Sequence, residues 1–110
     1  MEEQIDPIKC ANYIIKNGEA YAQAKAERIY LEEYRKSLKA LLQKKSASEA
    51  LNAQERDAYA HPDYIAHIQA LKVAIEKEEA IRWMLVAAQA KIEIFRSIEA
   101  TNRNQDRSLR

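Results

Sequence analysis

Proline occurs at Pro7 and Pro62, the only glycine is Gly18, and from Asp63 to Arg110 the chain contains neither residue. Sheets need tight turns, and tight turns draw on Gly and Pro, whereas long helices exclude both from their interiors. The rest of the chain is rich in Ala, Leu, Ile, Glu, Lys, Arg and Gln, all good helix formers. The expected fold class is all-α: an elongated helical hairpin with a short connector helix and a long C-terminal helix, self-associating in a coiled-coil-like manner. A chain of 110 residues is enough for one domain with a modest core.

The punctuation sets the expected boundaries. Asp6-Pro7 supplies an N-cap followed by Pro at the first helical position. Asn17-Gly18 suggests a bend, so helices are expected over about 7–17 and 19–45. On the second of these, Ala20, Ala24, Leu31, Tyr34, Leu38 and Leu41 fall on one broad apolar side. Ser46 with Glu49 and Asn52 with Glu55 both match the capping-box spacing, which places a connector helix at about 53–60. His61-Pro62-Asp63 then starts a helix over 62–103. One helical domain over 1–104 is expected, followed by a flexible tail at 105–110 that has no apolar period.

Within the last helix, residues 80–95 are apolar around nearly the whole circumference. Leu85, Ala88, Ile92 and Phe95 can face the first helix, which leaves Trp83, Ala87, Ala90 and Ile94 on another side. So much apolar surface calls for a second partner, and the chain has too little other mass to supply one. A homo-oligomer interface is therefore expected at Ile81, Arg82, Trp83, Leu85, Gln89, Ile92, Ile94, Phe95 and Arg96. Arg82, Gln89, Arg96 and Arg103 recur every seven residues and so line one face, where polar residues at a seam can set register. Glu78 and Glu99 stand four residues before Arg82 and Arg103 and are candidate ion-pair partners.

Net charge is +1, but it is distributed in blocks. Arg35, Lys36, Lys39, Lys44 and Lys45 form a run without an acid, and acid-rich stretches flank it on both sides. Pairing of these blocks between helices or subunits is one expectation; a phosphate-binding surface is the other, with Tyr30 and Tyr34 stacking on bases and Arg103 reaching a phosphate. Tyr13, Tyr21, Tyr59 and Tyr64 complete the tyrosines, which at helical spacing also serve as core residues with wet hydroxyls.

Catalytic and cofactor chemistry have little to build on. One glycine excludes a glycine-rich phosphate loop, and no paired-cysteine motif occurs. His61, Asp63 and His67 suit capping and packing better than metal ligation, and Cys10 suits a structural thiol. The acidic start, Met1 to Gln4, leads into no sustained apolar run, so neither a secretory signal nor a membrane anchor is expected. The expectation is a non-enzymatic protein without cofactors or a membrane partner, located in the cytoplasm.

Ile81-Arg-Trp-Met-Leu-Val-Ala-Ala-Gln-Ala-Lys-Ile-Glu-Ile-Phe-Arg-Ser-Ile-Glu-Ala-Thr-Asn-Arg103 resembles the C-terminal helix of small helical proteins of tailed bacteriophages, many encoded near recombination and replication functions. In helix order and size the chain is also similar to UvsY-type recombination mediators. The resemblance implies a bacterial host cell and a homo-oligomeric accessory of phage recombination or replication. Its implied partners are single-stranded DNA, a phage or host recombination protein, or both. The alternative is a pure protein-interaction module, such as a phage adaptor or an inhibitor of a host or defence protein, that binds no nucleic acid.

Overall fold

The structure, a computed structural model, describes residues 4–109. The acidic start expected at Met1–Glu3 and the final residue of the tail, Arg110, lie outside the described residues. Three helices and no strand occur among the described residues: α1 (Pro7–Lys45), α2 (Leu51–Ala60) and α3 (Pro62–Ser108). The chain is all-α.

α1 starts as its sequence predicts. The Ile8 and Lys9 amides donate to Asp6 Oδ1 at 3.0 and 3.2 Å, which satisfies two of the orphan donors of the first turn. The expected break at Asn17-Gly18 is absent, and one helix replaces the two expected over 7–17 and 19–45. Gly18 keeps a negative φ, and Asn17 bonds back along the helix, its Nδ2 donating to the Tyr13 carbonyl at 2.8 Å. A lone glycine costs about 1 kcal/mol in a helix interior, too little to terminate 39 residues of helix.

Neither capping box forms. α2 begins at Leu51, and its N-cap, Ala50, makes no side-chain capping bond. Ser46 and Ser48 donate instead to Asp57 Oδ2, at 2.6 and 3.1 Å, and hold the connector against α2. At the α2–α3 junction His61 is extended, as a residue before proline prefers, and its Nδ1 accepts the Asp63 amide at 3.0 Å. α3 continues past Arg103 to Ser108, into the segment expected to fray.

Two compact units divide the chain, one made of Met1–Tyr21 with Ala80–Arg110 and the other of Ala22–Glu79. In the second unit α1 and α3 run antiparallel: Leu31 meets His67, and Arg28, earlier in α1, meets Glu78, later in α3. The packed stripe of α3 alternates steps of three and four residues, the spacing of a heptad seam. Leu71, Ala74 and Glu78 are its buried positions in the second unit, and Ile81, Leu85, Ala88, Ile92 and Phe95 its buried or half-buried ones in the first. Buried Ala24 and Leu42 answer from α1, and Ala58 from α2, in the second unit.

Candidate functional site

In the second unit the basic run meets acids that the fold brings to it. Lys39 Nζ stands 2.7 Å from Glu55 Oε1 and 4.6 Å from the centre of the Tyr59 ring. The bond to Glu55 raises the Lys39 pKa, and the same contact lowers that of Glu55. Asp57 is also held below the usual carboxylate range, by the hydroxyls of Ser46 and then Ser48. Lys36 stands 3.6 Å from Glu33, with both side chains largely in water, where such a pair contributes little. Arg35, Lys44 and Lys45 are exposed. Of the five expected phosphate ligands, Lys39 is therefore engaged within the fold.

Tyrosines pack in two pairs in this unit. Tyr30 and Tyr34 are both exposed and stack at 6.0 Å between ring centres with 12° between planes. Tyr34 also lies against His67 at 5.6 Å, and His67 Nε2 donates to the Leu31 carbonyl at 2.7 Å. Tyr59 and Tyr64 meet edge to face at 5.3 Å. Together with Arg35, Lys36 and Lys39 they line a surface cleft of about 360 Å³. The sequence singles out Tyr30 and Tyr34 among the six tyrosines, and not Tyr59 or Tyr64, because these lie on α2 and α3, away from the basic run of α1. The two flank the His61-Pro62 junction, and a five-residue step across a helix boundary carries no facial information.

Arg28 is the other feature that α1 periodicity did not single out. It lies on the packed side of α1 and grips Glu78 with two guanidinium nitrogens, one of them at 2.9 Å, while a third reaches Glu32 at 3.0 Å. Glu78 is only 5% exposed, and its carboxylate, followed by that of Glu32, raises the Arg28 pKa. Glu78, the candidate partner of Arg82, is also a buried partner of Arg28. No ion pair joins Glu99 to Arg103 among the described residues.

In the first unit the expected interface residues fall into separate groups. Ile81, Leu85, Ile92 and Phe95 are half-buried on the packed stripe of α3. Trp83 is 58% exposed and Ile94 50%, with Ala87 and Ala90 exposed between them. Arg82 is half-buried, with its guanidinium 4.8 Å above the Trp83 ring, while Gln89, Arg96 and Arg103 are exposed. At about 100° per residue this ladder flanks the packed stripe and lies well round the helix from the Trp83–Ile94 stripe. Arg96 stands 3.7 Å from Glu93 on the solvent side. Half-buried Cys10 lines a shallow apolar groove with Tyr13, Met84, Ala87 and Ala88, rimmed by Lys9 and Lys91.

No group of three or more His, Cys, Asp or Glu side chains among the described residues is arranged to hold a metal ion, and no helix is long and apolar enough to cross a membrane. No family model, curated protein or solved structure matches the chain.

Proposed function

We propose that the chain is a non-enzymatic helical interaction protein that works as a homo-oligomer, its copies paired through the second apolar stripe of α3. The observation that carries this reading is the exposure of Trp83 and Ile94 on either side of exposed Ala87 and Ala90. Alternating three- and four-residue steps through Ala80, Trp83, Ala87, Ala90 and Ile94 repeat the seam spacing on a face the fold leaves in water. Small alanines admit a close helix, and the large Trp83 and Ile94 on either side of Ala87 and Ala90 bury area against it.

The flanks favour a parallel pair of α3 helices. One flank carries Glu79 and Glu93, and the other carries Lys77 and Lys91. Parallel helices set opposite flanks against each other, whereas antiparallel helices set like flanks together. Parallel pairing therefore sets the flank that carries these acids against the flank that carries these bases. Cysteine cross-linking tests the sense of the pair in a Cys10→Ala background. Ala80→Cys and Ala87→Cys, one heptad apart, should each form a disulfide-linked dimer on mild oxidation. Cross-linking at no more than one of them contradicts the parallel pair.

The setting we propose, an accessory role in phage recombination or replication in the bacterial cytoplasm, is supported by the resemblance of Ile81–Arg103. A second reading adds single-stranded nucleic acid as a partner. It is favoured by one observation, the solvent-facing Tyr30–Tyr34 stack on the helix that carries Arg35 and Lys36.

A further inference from the structure

We infer that the cleft lined by Arg35, Lys36, Lys39, Tyr59 and Tyr64 is a site for a phosphomonoester carried on a planar ring system, the chemistry of a nucleoside monophosphate. All three helices build it within the second unit: α1 supplies the cations, α2 supplies Tyr59 and α3 supplies Tyr64. At about 100° per residue, Lys39 falls about 40° round α1 from Arg35 and about 60° from Lys36, between the two. Its ammonium is held at α2 by Glu55 and the Tyr59 ring. That contact brings Tyr59 to the wall it shares with the two remaining cations, and Tyr64 meets Tyr59 edge to face.

The charge left over defines the ligand. Arg35 makes no ion pair among the described residues, and Lys36 has only a solvated contact with Glu33 at 3.6 Å. Lys39 is already matched by Glu55 at 2.7 Å. Two cations therefore line a cleft whose lining, among the described residues, includes no carboxylate. A guanidinium fork beside an ammonium suits a dianionic phosphate better than a single carboxylate. The cleft, at about 360 Å³, falls in the size range of small-molecule sites and is larger than one phosphate needs. The two tyrosine rings wall the remaining space, and a base has a flat face to place on them. A free nucleotide and the 5′-phosphorylated end of a nucleic acid share this chemistry.

Titration of isotope-labelled protein with adenosine 5′-monophosphate, followed by amide NMR shifts, tests the assignment. The nucleotide should shift Arg35, Lys36, Tyr59 and Tyr64 saturably and bind at least about tenfold more tightly than adenosine, which lacks the charge. Arg35→Ala with Lys36→Ala should weaken it at least about tenfold, whereas Lys44→Ala with Lys45→Ala, in the same run but outside the cleft, should change nothing. Tyr64→Ala should weaken it about fivefold or more. Tyr64→Phe keeps the ring and should retain affinity, which separates lost stacking from lost folding. Displacement of the nucleotide by 5′-phosphorylated oligo-dT and not by its 5′-hydroxyl counterpart identifies a strand end as the source, and displacement by neither identifies the free nucleotide. Equal displacement by both assigns the cleft to backbone phosphate and overturns the inference. Shifts no stronger than those with adenosine overturn it too, as does indifference to the Arg35 and Lys36 substitutions, or equal displacement by a polyglutamate peptide. The site is complete in one copy, so a monomeric mass removes the oligomer and leaves this inference standing.

Discussion

Single residues separate what this helical pattern requires from what it tolerates. Gly18 is the clearest case, since a Cβ built there meets nothing within 4 Å and its φ is not positive. Among the described residues nothing needs a glycine at this place. Gly18→Ala should accordingly stabilise the protein by about 0.5–1 kcal/mol through helix propensity, read as a higher denaturant midpoint with unchanged slope. A loss of stability would show that the position is crowded in the assembled protein. Arg28 and Glu78 are the opposite case, a charged layer set into an apolar stripe. Such a layer contributes more to register than to net stability, because a shift of either helix would leave a buried carboxylate alone. Sequence spacing pointed Glu78 to Arg82 and was silent on Arg28, since a contact fifty residues away leaves no local signal.

At the scale of the elements, helix type was legible and helix ends were less so. Asp6-Pro7 and His61-Pro62 mark boundaries correctly because they act through local sterics and one nearby hydrogen bond. The Ser46 box fails because its hydroxyl turns to Asp57, and the Asn52 box because α2 has already begun at Leu51 and Glu55 pairs with Lys39; both competing contacts are recruited by tertiary packing. The same contacts make the connector sensitive to acid. Asp57 and Glu55 have depressed pKa values in the folded state, so the unfolded state binds protons more readily than the folded one. Their contribution is fully present above the usual carboxylate pKa of about 4 and is lost as pH falls through the lower folded values. The unfolding midpoint should hold from neutrality down to about pH 5 and then decline, less steeply in an Asp57→Asn variant. An identical acid profile in that variant would remove Asp57 from the account. The cleft was half legible: Arg35, Lys36 and Lys39 belong to one run of α1, whereas Tyr59 and Tyr64 join it only once α2 has folded back.

For the whole molecule, the decisive quantity is apolar surface left in water. The division of residues 80–95 into a packed side and a free side was legible, because helical geometry alone separates Leu85, Ala88, Ile92 and Phe95 from Trp83, Ala87, Ala90 and Ile94. In the proposed pair a second copy covers the other side, and periodicity alone cannot name it. The heptad ladder from Arg82 to Arg103 keeps its regularity but flanks the packed stripe, so in the proposed pair it stays outside the seam. The account stands on self-association, and mass in solution measures it most directly. Light scattering at micromolar concentration should return a multiple of the 12.7 kDa chain. Ala87→Glu with Ala90→Glu, at positions exposed in the single chain, should lower that mass to one chain without loss of helicity. A mass of 12.7 kDa for the unaltered protein at the same concentration would contradict the account.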